Sequence, residues 1–137
     1  MKKLFLTTLI FTLPFLASAQ GPSLVSNYSK MMQERLAFGL NRNAKLYNGL
    51  VEKSVQLAEK GKDLSVINPK LAETKIIIDR GQKHLAELPE RAKSLTASST
   101  PKESYAIVRG LIREIVQDLR LSYAKIREIK LLIKRLK

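Results

Sequence analysis

The chain has 137 residues, with 25 Lys and Arg against 12 Asp and Glu, a formal net charge of +13. It contains no Cys, which excludes disulfides, thiolate metal sites, thiol catalysis and lipid modification of an N-terminal cysteine. A hydrophobic content of 45% excludes a disordered polyelectrolyte, and the length fits one domain.

The first residues read as an export signal. Lys2 and Lys3 form a basic start, residues 4–16 are apolar, and Ala17-Ser18-Ala19 is a small-residue cleavage signal. Residues 1–19 are therefore expected to be a signal peptide cleaved after Ala19, in the bacterial style. The apolar run is shorter than the roughly 20 residues of a membrane span, which disfavours an uncleaved anchor. Without Lys2 and Lys3, 23 basic and 12 acidic residues remain, so the processed chain carries a net +11. A periplasmic or extracellular location follows from this reading.

Residues 20–28, with Gly21 and Pro22, read as a flexible lead-in. From Ser29 a helical pattern runs to Lys60, with Met32, Leu36, Leu40, Ala44, Tyr47, Val51 and Val55 at three- and four-residue steps. Gly39 and Gly49 lie inside it, each weakening a helix by about 1 kcal/mol unless a neighbour needs the space. Gly61 supplies a left-handed helix end. A second helix is expected from Ser65 or from Asn68-Pro69, built on Leu71, Ile78, Leu85 and Leu88 and interrupted at Pro89. Residues 96–100 form a polar connector. Thr100-Pro101-Lys102-Glu103 is a capping box with proline at the first helical position.

The last helix carries the longest repeat. Tyr105, Val108, Ile112, Ile115, Leu119, Ser122, Ile126, Ile129, Ile133 and Leu136 mark an unbroken heptad seam. Two flanking positions of a two-stranded zipper would be charged. Here they include Leu111, Val116, Tyr123 and Leu132, which widen the stripe enough to face two neighbours. Short connections make sequential helices antiparallel. The expected fold is all-α: an elongated, coiled-coil-like antiparallel three-helix bundle over residues 29–137. A homo-oligomer of extended hairpins is the alternative arrangement. Ile107, Leu121 and Leu131 fall furthest from the seam and are expected to be exposed.

A basic ridge runs beside that seam. Arg113, Arg120, Arg127 and Lys134 recur every seven residues, with Arg109, Lys130 and Lys137 adjoining. Such a ridge suits an anionic envelope component, another protein or an anionic membrane surface. The competing reading is a solvated face partly paired with Glu52, Glu59, Glu73, Asp79, Glu87 or Glu90. Nucleic acid is disfavoured, because no recognition motif is present and the leader points out of the cytoplasm. Nothing in the sequence implies a metal or a cofactor. His84 is the single histidine and reads as a surface residue, and no catalytic constellation appears, so the chain reads as a non-enzyme.

Arg35-Leu36, Asn43, the 61–65 connector Gly-Lys-Asp-Leu-Ser, Leu71-Ala72 and Arg113-Glu114-Ile115 carry a family likeness. The chain resembles a loose group of short, exported, lysine-rich helical proteins of candidate-phyla bacteria. That resemblance implies a helical hairpin or bundle outside the cytoplasm and brings no active site. Small basic periplasmic chaperones of the Spy-like group are similar in size, charge and helicity, but their Leu-Thr-x-x-Gln repeats are missing. The combined expectation is an exported binding, scaffold or chaperone-like module. The alternative is a peripheral protein that meets anionic lipid through its last helix.

Overall fold

In the computed structural model, residues 21–98 and 100–136 are described. The expected leader, its cleavage point after Ala19, and Lys137 lie outside them. Three helices follow in order: α1 (Gly21–Glu59), α2 (Ile67–Ser98) and α3 (Pro101–Arg135). Each helix packs on both others, giving the expected all-α three-helix bundle. α1 has 39 residues, about 58 Å at 1.5 Å per residue.

The ends of the helices follow local chemistry. Gly61 adopts φ +72°, the region where a side chain would be strained. Its N–H reaches Ala58 O at 2.9 Å and the Lys62 N–H reaches Leu57 O at 3.0 Å, a Schellman closure of α1. Asp63 Oδ1 then accepts from Ser65 N–H at 2.8 Å, turning the chain into α2. At α3 both arms of the capping box form. Thr100 Oγ1 accepts from Glu103 N–H at 3.3 Å, and Thr100 N–H donates to Glu103 Oε2 at 3.1 Å.

One expectation about element limits needs correction. α1 starts at Gly21, so residues 21–28 of the expected lead-in are helical. The reason is burial: Val25 and Ser29 are buried, and Tyr28 stacks on Tyr105 with ring centroids 5.4 Å apart. Pro22 sits in the first turn, where its missing N–H has no helical partner to lose. Pro89 interrupts the hydrogen-bond ladder of α2 but not its path, which continues to Ser98. One absent bond, that to Leu85 O, is outweighed by the burial of Leu88 and Ala92 on either side.

The seam residues of α3 point inward as expected. Val108, Ile112, Ile115, Ser122, Ile126, Ile129 and Ile133 are buried, and Tyr105, Leu119 and Leu136 are half-buried. The core has two apolar lobes. One gathers Leu36, Leu40, Leu88, Val108, Ile112 and Ile115. The other gathers Leu50, Leu57, Ile67, Leu71, Ile126 and Ile129. Each fully buried side chain of this kind contributes about 1.5–3 kcal/mol.

A polar layer occupies the waist between the lobes. Asn43 of α1 donates through Nδ2 to Ser122 Oγ at 2.8 Å and to Leu119 O at 2.9 Å. Ser122 also donates to Leu119 O, the back-bond within its own helix that its heptad position suggests. Asp118, its carboxylate 5% exposed, receives Arg80 of α2 in a forked pair. Glycines admit the close approach. A Cβ on Gly39 would meet Leu119 Cδ2 at 3.0 Å, and one on Gly81 would meet Leu40 Cδ2 at 3.0 Å and Asp118 Cβ at 3.3 Å. Gly49 has nothing within 4 Å and serves no such contact.

Candidate anion-binding face

The partners of α3 divide its circumference. Asp118 and Lys125 meet α2, through Arg80 and Glu73. Tyr105, Leu119 and Ser122 meet α1. At 100° per residue, Arg109, Arg113, Arg120, Arg127, Lys130 and Lys134 fall on the α1 side and the solvent edge beside it. Glu114, Asp118 and Glu128 fall on the α2 side or the outer edge beyond it. The helix therefore separates its charges across its width.

Four of the six carboxylates that could have neutralised the ridge are engaged elsewhere. Lys70 donates to Glu128 Oε1 at 2.6 Å and holds that carboxyl below the usual range. Lys125 donates to Glu73 Oε2 at 2.8 Å, and that bond pushes the Lys125 ammonium up. Asp79 takes Lys75, Glu87 takes Arg91 and Glu90 takes Lys93. Among the described residues, no carboxylate lies within 4 Å of Arg113, Arg120, Arg127, Lys130 or Lys134. Of the six acids in the solvated-face reading, Glu73, Asp79, Glu87 and Glu90 are thus paired with other bases, and Glu52 and Glu59 form no ion pair with those five cations among the described residues.

The upper half of the ridge borders a groove between α1 and α3, open to solvent and about 710 Å³ in volume. Its apolar lining is Tyr28 and Met32 from α1, and Ile112, Val116 and, on the outer side, Leu121 from α3. Arg109, Arg113 and Arg120 form one edge, Gln117 lies among them, and no carboxylate lines it. Burial pushes the Tyr28 hydroxyl up; Arg109 and Arg113 pull it back down. Arg127, Lys130 and Lys134 continue the flank beyond the groove, with Leu131 (57% exposed) between them. Leu121, Leu131 and Ile107 are exposed, as their positions far from the seam require.

Tyr123 and His84 depart from their expected roles, and Asp118 joins them as a buried charge at the waist. Tyr123 is exposed rather than a member of the widened stripe. Asp118 sits where a charged heptad flank normally faces water, yet Arg80 draws it inside. His84 is half-buried rather than on the surface, with Nδ1 3.7 Å from Asp118 Oδ2. The sequence signal for this cluster is Gly81, a small residue beside an arginine in an otherwise regular helix. Among the described residues, no group of three His, Asp or Glu is placed to hold a metal ion. Nor is any of the helices long and apolar enough to cross a membrane.

Comparison with protein-family models, with curated proteins and with solved structures finds no match to this chain.

Proposed function

We propose that this chain is an exported, non-catalytic helical bundle that holds an anionic envelope partner against the α1-side flank of α3. The observation that carries the reading is the separation of charge on α3. Asp118 and Glu128 are bound to α2, while five cations of the opposite flank have no carboxylate within 4 Å among the described residues. Like charges left adjacent on one helix face repel, and an external anion relieves that repulsion. The basic start, apolar run and Ala17-Ser18-Ala19 support export. The single histidine lies beside the Arg80–Asp118 pair at the waist rather than in the groove, which fits a holding role.

Long-chain polyphosphate is the direct probe. The chain purified after export should bind it with an affinity that falls steeply as salt rises past the Debye regime. Arg127→Glu, Lys130→Glu and Lys134→Glu together should weaken binding by about tenfold, or about 1.4 kcal/mol, while the helical spectrum stays unchanged. Binding equal to the parent chain would refute the assignment of this flank. A second reading, a peripheral protein on anionic lipid, is favoured by Leu121 and Leu131 emerging beside the arginines. Flotation with anionic but not neutral vesicles, exceeding the polyphosphate affinity, would select it.

A further inference from the structure

We infer that the α1/α3 groove is a site for a single-chain amphiphile with a phosphate monoester head, such as an acyl glycerol phosphate. The inference rests on the anion-binding reading above and adds an apolar half to the ligand. The groove holds both chemistries in one place. Tyr28, Met32, Ile112 and Val116 offer a strip of apolar surface along the seam of two parallel helices, and Leu121 adds an apolar contact on the outer side of the arginines. Arg113 and Arg120 stand on one edge, two turns apart, or about 10 Å along the axis.

Volume and lining limit the occupant. About 710 Å³ lies within the range of roughly 300–1,000 Å³ that small-molecule sites occupy. Five apolar side chains line it, a surface that one acyl chain covers. The head is set by the donors. Each guanidinium presents five N–H groups in a fixed fork. Two forks separated by two turns offer more donors than one carboxylate, with two oxygens, can accept. The three oxygens of a phosphate monoester can take one fork bidentately and keep a third oxygen for Gln117, which lies about one turn from either arginine. The absence of any lining carboxylate removes the repulsion such a head would otherwise meet.

Calorimetric titration below the micelle concentration tests this. Lauroyl glycerol phosphate should bind about tenfold or more tighter than glycerol phosphate, which lacks the chain, and than lauroyl phosphocholine of the lyso type, which lacks net charge. Arg113→Gln with Arg120→Gln should remove the preference over the zwitterion, and Leu121→Gln should lower affinity for both lipids. All three positions are exposed, so circular dichroism should show an unchanged bundle. Arg127→Gln with Lys134→Gln should leave the lipid affinity unaltered while weakening polyphosphate. Equal binding of glycerol phosphate would overturn the site and leave the polyanion reading intact. Equal binding of laurate would overturn the head assignment. Uptake only by vesicles, or a doubling of mass in place of lipid uptake, would assign the groove to a membrane surface or a second copy. Loss of polyphosphate and lipid binding together would overturn both proposals.

Discussion

Replacing Arg80 by alanine isolates the waist of the bundle. Asp118 would keep its place on α3 with a carboxylate 5% exposed, but lose the charged hydrogen bonds from Arg80 Nε, at 3.0 and 3.1 Å, and from Nη2. A hydrogen bond to a charged group contributes about 1.5–3 kcal/mol, and stripping the partner from a fully buried ion costs about 3–5 kcal/mol. Arg80 is itself 49% exposed, so water screens its side of the pair, and His84 remains 3.7 Å from Oδ2. The expected loss is therefore about 2–3 kcal/mol, below the fully buried figure. For a domain of this size that is roughly 8–12 °C in Tm. Urea unfolding followed by circular dichroism measures it, with an unchanged slope showing that the same surface is exposed. The paired change Arg80→Met with Asp118→Leu should return to within about 1 kcal/mol of the parent, because no ion is then left unpartnered. A loss under about 0.5 kcal/mol for Arg80→Ala would place the pair among weak surface contacts and refute the reasoning.

Other outcomes follow from the same geometry. Gly49→Ala, with nothing within 4 Å of the added Cβ, should stabilise by about 0.8–1 kcal/mol in thermal unfolding. Gly81→Ala meets Leu40 and Asp118 and should instead destabilise by about 1 kcal/mol, the crowding exceeding the gain in helix propensity. Ile129→Ala, at a position with no exposed surface, should cost about 3–4 kcal/mol by the same measurement. The Glu103 carboxyl is held below its ordinary value, first by the Thr100 hydroxyl and then by the Thr100 backbone N–H. A depressed folded pKa makes the cap's contribution complete above the ordinary Glu value of 4.5 and lost as pH falls through the lower folded value. Amide exchange over the first turn of α3 should accelerate on acidification through that window, and in Glu103→Gln it should not respond to pH there.

The parts of the fold legible in the sequence are those set by short-range chemistry or a long repeat. The α3 seam, the Thr100–Glu103 box and the Gly61 closure each depend on residues within one or two turns of one another. Contacts between helices were harder to read. The burial of Val25 depends on the stacking of Tyr28 against Tyr105, 77 positions later, so residues 21–28 looked like a loose lead-in. Pro89 marks an interruption of α2 because its lost bond is local, while the burial that carries the helix on to Ser98 is not. The burial of Asp118 is not legible in α3 alone, because its partner sits on another helix. The basic ridge was visible as a heptad row. Its position over an apolar groove needed the relative rotation of α1 and α3, which no single-helix pattern contains.

The waist also determines which alignment of the helices is tolerated. Two apolar lobes with similar residues would accept a slide of α2 or α1 along α3 by one heptad at little cost in buried surface. The polar layer forbids it. Sliding α2 by seven residues in either direction would set Asp118 against Glu73 or Glu87 in place of Arg80. Sliding α1 by the same step would bring Leu36 or Leu50 to Ser122 in place of Asn43. Both slips leave a buried acceptor or donor without its partner, and the first adds repulsion between carboxylates. Asn43 and Arg80 thus act as two index marks, one on each neighbour of α3, that fix a single register for an otherwise repetitive bundle.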